Sequence, residues 1–310
     1  MRTDPSRSGP QIVVFGEGML ELSGPLLGRV QQGYGGDALN TAIYLARCLA
    51  GQGEVRFVSA LGTDPLSEAL LRRWAEEGLM LDWVRRLPGH LPGLYQIELD
   101  DQGERRFHYW RQSSAARSFF DQPEHTVLEC QLQPAQLFYV SGIGLAILPP
   151  LARQRLLDLM ARHRRAGGRV ALDSNYRPAL WEDPRTAAAC MAQAYRCADV
   201  ALVSLEDQAR MLGLDPQAAR ESALKLGCPE LVLKQGGEAA WVREGPGAPW
   251  QTVPTVPVAQ VVDTTAAGDA FAAAYLHARL CGAGGAQAVR AAHALAARVI
   301  QHPGALMPRA

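Results

Sequence analysis

Val261-Val262-Asp263-Thr264-Thr265-Ala266-Ala267-Gly268-Asp269, running into an Ala-rich helical stretch at Ala270–Leu280, decides how this chain is read. Small residues leading into a helix leave several backbone N–H groups without intrahelical partners. The helix dipole adds positive potential there, so an anion such as a phosphate fits. Gly268 lets a ligand approach the main chain with no Cβ in the way. Asp269 then stands beside a phosphate-sized hole, where it can take a proton from an attacking hydroxyl. A plainer reading stays open: Asp269 favours the first turn of its helix, and Thr264 or Thr265 caps it.

A second stretch lies far upstream. Gly33-Tyr34-Gly35-Gly36-Asp37-Ala38-Leu39-Asn40 opens a helix over Ala38–Leu49. Gly35 and Gly36 allow a tight approach, and Asp37 and Asn40 fall one helical turn apart on one face. Together they offer donors and acceptors suited to sugar hydroxyls. Asp37 as a simple N-cap after a glycine turn is the alternative.

Between the two, β-rich runs alternate with helical patterns. Strands are expected at Ile12–Phe15, Val55–Ala60, Leu137–Ser141, Arg169–Asp173, Val200–Ser204 and Leu231–Lys234. Helices are expected at Leu66–Glu77, Leu151–Ala166, Arg185–Arg196, Ala218–Leu226 and Ala286–Ile300 as well. That alternation predicts an α/β fold with a mainly parallel sheet covered on both faces, its ligands beyond the carboxyl ends of the strands. Gly16–Tyr34 breaks the pattern. So do Leu94–Leu99 and Arg105–Trp110, which alternate around Asp100-Asp101-Gln102-Gly103 as a β-hairpin. These pieces predict a small antiparallel lid.

Bulk properties bound the partners. With 31 Lys+Arg against 31 Asp+Glu, the chain has no net field to hold nucleic acid or an anionic membrane. Its 6 cysteines are scattered without Cys-x-x-Cys spacing, which predicts free thiols in a reducing cytosol and no structural zinc. Residues 1–10 read as a flexible tail and 11–310 as one catalytic unit, with the lid formed by about 17–35 and 93–112. The basic run Arg162-His163-Arg164-Arg165 reads as a solvated helix end.

Two arginines suit an acidic ligand. Arg111 ends the lid hairpin and Arg177 follows the strand Arg169–Asp173; a planar guanidinium grips a carboxylate or phosphate with paired, charge-assisted hydrogen bonds. Surface ion pairs are the alternative for both, as is lid packing for Tyr95 and Tyr109. Lys234-Gln235-Gly236-Gly237-Glu238 closes a strand with a glycine turn before Ala240–Arg243.

An early Gly-Gly-Asp-x-x-Asn paired with a late Asp-Thr-x-x-x-Gly-Asp resembles the ribokinase-like family of carbohydrate kinases, and the likeness runs from Ile12 to Pro308. Leu91-Pro92-Gly93-Leu94-Tyr95, Tyr109-Trp110-Arg111, Ser141-Gly142-Ile143 and Asp173-Ser174-Asn175-Tyr176-Arg177-Pro178 resemble the branch that phosphorylates 2-keto-3-deoxygluconate. The resemblance implies a three-layer α/β/α sandwich with a β-lid, and ATP-dependent transfer to the C6 hydroxyl of that sugar acid. It implies Asp269 as catalytic base and the backbone of Ala266, Ala267 and Gly268 as anion hole. Gly35, Gly36, Asp37, Asn40, Tyr95, Tyr109 and Arg111 would face the sugar. Arg177 would lie between sugar and nucleotide, with Asn175, Lys234, Gly236 and Gly237 on the nucleotide.

Most family members carry glycine where Ala266 stands, whereas the ketodeoxygluconate branch resembles the Ala-Ala-Gly-Asp form. The family's magnesium-linked Asn-x-x-Glu appears only as Ser204-Leu205-Glu206-Asp207, which leaves the residues that hold Mg2+ unassigned. A monovalent cation near Asp263, a cytoplasmic location and a homo-oligomer paired through exposed lid sheets complete the expectation. Rival readings are a fructokinase- or ribokinase-type enzyme, or a non-catalytic sugar-binding regulator. A dinucleotide oxidoreductase, suggested by Gly16-Glu17-Gly18, fails because Glu21 stands where a third glycine is needed.

Overall fold

The computed structural model describes residues 9–99, 105–121 and 126–309. Most of the tail and the tip of the lid hairpin, residues 100–103, lie outside them. From the N-terminus come β1 (Gln11–Phe15), β2 (Met19–Ser23), β3 (Gln31–Gly35), α1 (Asp37–Leu49), β4 (Glu54–Val58) and β5 (Ala60–Leu61). There follow α2 (Pro65–Glu76), β6 (Arg85–Arg86), β7 (Gly93–Leu99), β8 (Arg105–Trp110), α3 (Val127–Gln131), β9 (Leu137–Ser141) and α4 (Gly142–Ala146). The chain continues through α5 (Pro150–Arg165), β10 (Arg169–Asp173), α6 (Pro184–Cys197), β11 (Val200–Ser204), α7 (Leu205–Leu212) and α8 (Pro216–Leu224). It closes with β12 (Glu230–Lys234), β13 (Ala240–Arg243), β14 (Gln251–Val253), α9 (Ala267–Leu280) and α10 (Gly285–Val299).

Eight strands form the central sheet in the order β14-β13-β12-β11-β10-β9-β1-β4. Neighbours from β12 to β4 run parallel, and only β13 and β14 are antiparallel. Successive residues feed opposite cores. Val13 and Phe15 of β1 join one apolar layer, and Ile12 and Val14 join the other; Val170 and Leu172 of β10 oppose Ala171 in the same way. A sheet buried on both faces needs apolar side chains at every position, which is why these strands read as unbroken runs. The first core takes α5 and α6, through Leu156 and Met191. The second takes α1, α9 and α10, through Ile43, Phe271 and Val289.

The segments expected to form a lid make a separate four-stranded sheet, β3-β2-β7-β8, with Met19, Tyr95 and Ile97 as its own small core. β7 and β8 pair antiparallel from Leu94↔Trp110 to Leu99↔Arg105, as the hairpin reading requires. Strand β2 is parallel to β7, so the lid is mixed rather than wholly antiparallel.

Three local expectations are corrected. Val55–Ala60 is not one strand: the chain bends after Val58, and Ala60–Leu61 pairs with Arg85–Arg86 in a small sheet of its own. Helix α7 was not anticipated, although Ser204 caps it by accepting the Asp207 amide. His163, expected in solvent, is 2% exposed and packs edge-on against Phe138. Among the described residues, no helix is long and apolar enough to cross a membrane.

Candidate active site

A cavity of about 920 Å³ opens between the carboxyl ends of the parallel strands and the lid. Parallel strands all end on one side, so chain segments leaving β9, β10, β11 and β12 meet the N-termini of α1 and α9 there. Both sequence motifs arrive at the same place. Asn40 Nδ2 donates to Asp269 Oδ2 at 2.9 Å across 229 residues of chain, and Asn175 Nδ2 donates to Asp37 Oδ2 at 3.1 Å.

Backbone geometry explains which residues serve here. Gly36, not Asp37, precedes α1, with φ 147, and Asp37 is the first helical residue. Asn175 turns the chain just after β10 with φ 29, a left-handed conformation that asparagine tolerates better than most residues. At α9 neither Thr264 nor Thr265 caps: Ala266 stands at the cap with φ 60 and ψ 11 and no side-chain hydrogen bond. The Ala267 amide is turned back to Thr264 O at 3.2 Å. Among the described residues, the amides of Ala266, Gly268 and Asp269 have no acceptor. A Cβ on Gly268 would meet nothing nearer than Lys234 Nζ at 4.0 Å, so this stretch of main chain is open to a ligand.

A left-handed alanine costs about 1–2 kcal/mol relative to its relaxed conformation. Ala266→Gly is therefore expected to stabilise the fold by up to about 1 kcal/mol after glycine's larger unfolded-state entropy is subtracted. Denaturant melts check this, and a loss of stability would count against the strained cap.

Acidic groups crowd the floor. Burial, then the neighbouring Asp37 charge, pushes the Asp269 carboxyl up to about 8, while Asn40 and Lys234 pull the other way. Burial also raises Asp37, against hydrogen bonds from Ser141 and the Ala38 amide and the charges of Arg111 and Arg177. Lys234 Nζ sits 3.0 and 2.9 Å from the two oxygens of Asp173 and lines the cavity beside Gly268. Asp207 accepts the Tyr176 amide at 3.0 Å, and its other oxygen is 3.8 Å from Arg177, whose side chain is half exposed at the rim.

Lid residues Tyr95, Tyr109 and Arg111 line the cavity. The Tyr95 hydroxyl already donates to Glu21, and its ring lies 5.9 Å from that of Tyr109. A Cβ on Gly35 would fall 2.3 Å from the Tyr95 hydroxyl, so its smallness makes room for Tyr95. Gly236 and Gly237 do line the cavity, in the turn after β12.

Sequence reasoning passed over Asp173 and Glu17. Asp173 looked like the end of an apolar strand, and its proximity to Lys234 arises only when β10 and β12 flank β11. Glu17 was weighed only within a glycine fingerprint, yet it is 1% exposed and paired with Arg111.

Comparison with known proteins identifies the family. The family model described as pfkB family carbohydrate kinase matches residues 10–309. The 2-dehydro-3-deoxygluconokinase of Dickeya dadantii (strain 3937) is 40% identical over 303 residues, covering 96% of each chain. The crystal structure of 2-dehydro-3-deoxygluconokinase from Thermotoga maritima superposes with a TM-score of 0.80 at 25% identity, covering 96% of this chain and 95% of that one. The structure of fructokinase with bound ATP from Xylella fastidiosa does so with a TM-score of 0.80 at 26% identity, covering 95% and 93%.

Proposed function

The chain belongs to the pfkB family of carbohydrate kinases, and from that premise we propose that it transfers the γ-phosphoryl group of ATP to the C6 hydroxyl of 2-keto-3-deoxygluconate, giving 2-keto-3-deoxy-6-phosphogluconate. The observation that carries the chemistry is Asp269, held by Asn40 beside the open amides of the α9 N-terminus. The two 2-dehydro-3-deoxygluconokinases named above support the choice of substrate.

In this reading the terminal phosphates of ATP lie against the amides of Ala266, Gly268 and Asp269, with the Lys234 ammonium close by. Asn175, Gly236 and Gly237 border the nucleotide. The sugar acid lies under the lid against Asp37 and Asn40, its carboxylate on Arg111 and the face of Tyr109. Asp269 accepts the C6 proton as that oxygen attacks phosphorus, and Arg177 offsets charge on the transferring group. Lid closure excludes the water that would compete for the phosphoryl group.

Among the described residues, no three His, Cys, Asp or Glu side chains gather as a metal cage. Magnesium would enter on ATP, where phosphate oxygens and water supply most ligands, with Glu206 and Asp207 both lining the cavity and neither assigned as its ligand. Bound there, magnesium would neutralise charge on the phosphate oxygens. A monovalent cation near Asp263 would share a carboxylate that already accepts the Thr265 and Gly304 amides. The reading includes a cytosolic location, where ATP is supplied, and a homo-oligomer joined through the lid, whose outer strands β3 and β8 leave edges open to pairing.

ATP consumption measured side by side with ketodeoxygluconate, fructose, ribose and adenosine tests the assignment. Ketodeoxygluconate is expected to give the highest kcat/KM, because a neutral sugar leaves Arg111 without its carboxylate. A preference for fructose would overturn the substrate, and binding of the sugar acid without ATP consumption would overturn catalysis.

A further inference from the structure

The lid meets the body at four chain crossings: β1 to β2, β3 to α1, the entry to β7 and the exit from β8. Motion of such a lid is concentrated at its crossings, and Glu17 touches them all. It occupies the first. At the second, a Cβ on Gly36 would stand 2.2 Å from the Glu17 carbonyl oxygen. At the third, a Cβ on Gly93 would stand 2.7 Å from Glu17 Oε1. At the fourth, Arg111 Nη2 donates to Glu17 Oε2.

Glu17 is 1% exposed and Arg111 6%. Arg111 lines the cavity, whereas Glu17 lies behind it. Two contacts set the guanidinium: the bond to Glu17, and the Tyr109 ring whose centroid is 5.7 Å away. Glu17 Oε1 and Arg111 Nε are buried without a partner among the described residues, so the pair is held by a single nitrogen–oxygen contact. Without Glu17, the guanidinium would have Asp37 as its competing partner, since that carboxylate already feels its charge.

We infer that Glu17 is the positioning residue for acid recognition: it fixes the Arg111 guanidinium at the lid hinge, turned toward the carboxylate of the sugar acid. The inference rests on Arg111 as that carboxylate's partner. Glu17 touches no substrate and acts only through Arg111. Because the pair sits on the crossings, the pull of a bound carboxylate is passed directly to the hinge.

A double-mutant cycle on the full chain tests it, with ketodeoxygluconate titrated calorimetrically into wild type, Glu17→Gln, Arg111→Gln and the double variant. Glu17→Gln keeps the shape and removes the charge. It is expected to weaken binding about tenfold or more, with the KM for ATP within twofold of wild type. On the Arg111→Gln background the same change is expected to do nothing further, because the group it orients is gone.

Equal losses on both backgrounds, or a Glu17→Gln affinity within twofold of wild type, would overturn the inference. Should Glu17→Gln not fold, Glu17→Asp, which keeps the charge but shortens the reach, is expected to show the same dependence on Arg111. Wild type that binds the sugar acid but does not consume ATP overturns the kinase reading alone. Wild type that does not bind it overturns both.

Discussion

Asp269→Asn is expected to lower turnover by about two to four decades, the usual worth of a general base, while the protein melts at a higher temperature at pH 8. The two effects share one cause. The carboxyl titrates near 8 in the fold, against an ordinary value of 3.8, because burial and Asp37 oppose its ionisation. With the folded value raised, the native state holds a proton that the unfolded chain has released between those limits. Stability from this group is therefore complete below the unfolded value and is lost as pH climbs toward 8. Asparagine never ionises, and it can still accept the hydrogen bond that Asn40 now gives to Oδ2. The variant should gain on the order of a few degrees at pH 8 and almost nothing at pH 4. Calorimetric melts at both values, with steady-state turnover alongside, measure this. Near-normal turnover would remove Asp269 from the role of base, and equal melting temperatures at pH 8 would deny that its charge is costly in the fold.

The pH profile of kcat/KM should be equally pronounced. That quantity reports the free enzyme, where the base must lose a proton held with a value of about 8. Below that point the active fraction falls about tenfold per pH unit, so the rate at pH 6 is expected near one hundredth of the alkaline plateau. The perturbers give the profile a second test. Asp37 raises the Asp269 value and Lys234 lowers it, so the limb should move to lower pH in Asp37→Asn and to higher pH in Lys234→Met. A profile flat from pH 6 to 9, or a limb unmoved by either substitution, would show that another group limits the rate.

Much of this was legible in one dimension. The parallel sheet announces itself because strands buried on both faces are apolar at every position, and Ile12–Phe15, Leu137–Ser141 and Arg169–Asp173 fall where the structure puts them. The place of Gly268 and Asp269 at the open start of α9, on the cavity wall, was readable because a helix N-terminus rich in small residues is a feature local to a few positions. Helix α7 gives no periodic signal, because its eight residues from Leu205 to Leu212 are too short for one; its local mark is the Ser204 cap.

Composition and spacing thus settle what depends on near neighbours: strand, turn, helix start, and the residue types able to hold a phosphate. Folding alone decides what depends on distant ones. Asp269 becomes a much weaker acid because folding removes water from it and then brings Asp37, 232 positions earlier in the chain, to the same floor. Lys234 is anchored by Asp173, 61 residues away, and Arg111 is oriented by Glu17, 94 residues away. Desolvation and charge pairing act through space, so these properties exist only once the sheet and lid have brought the groups together.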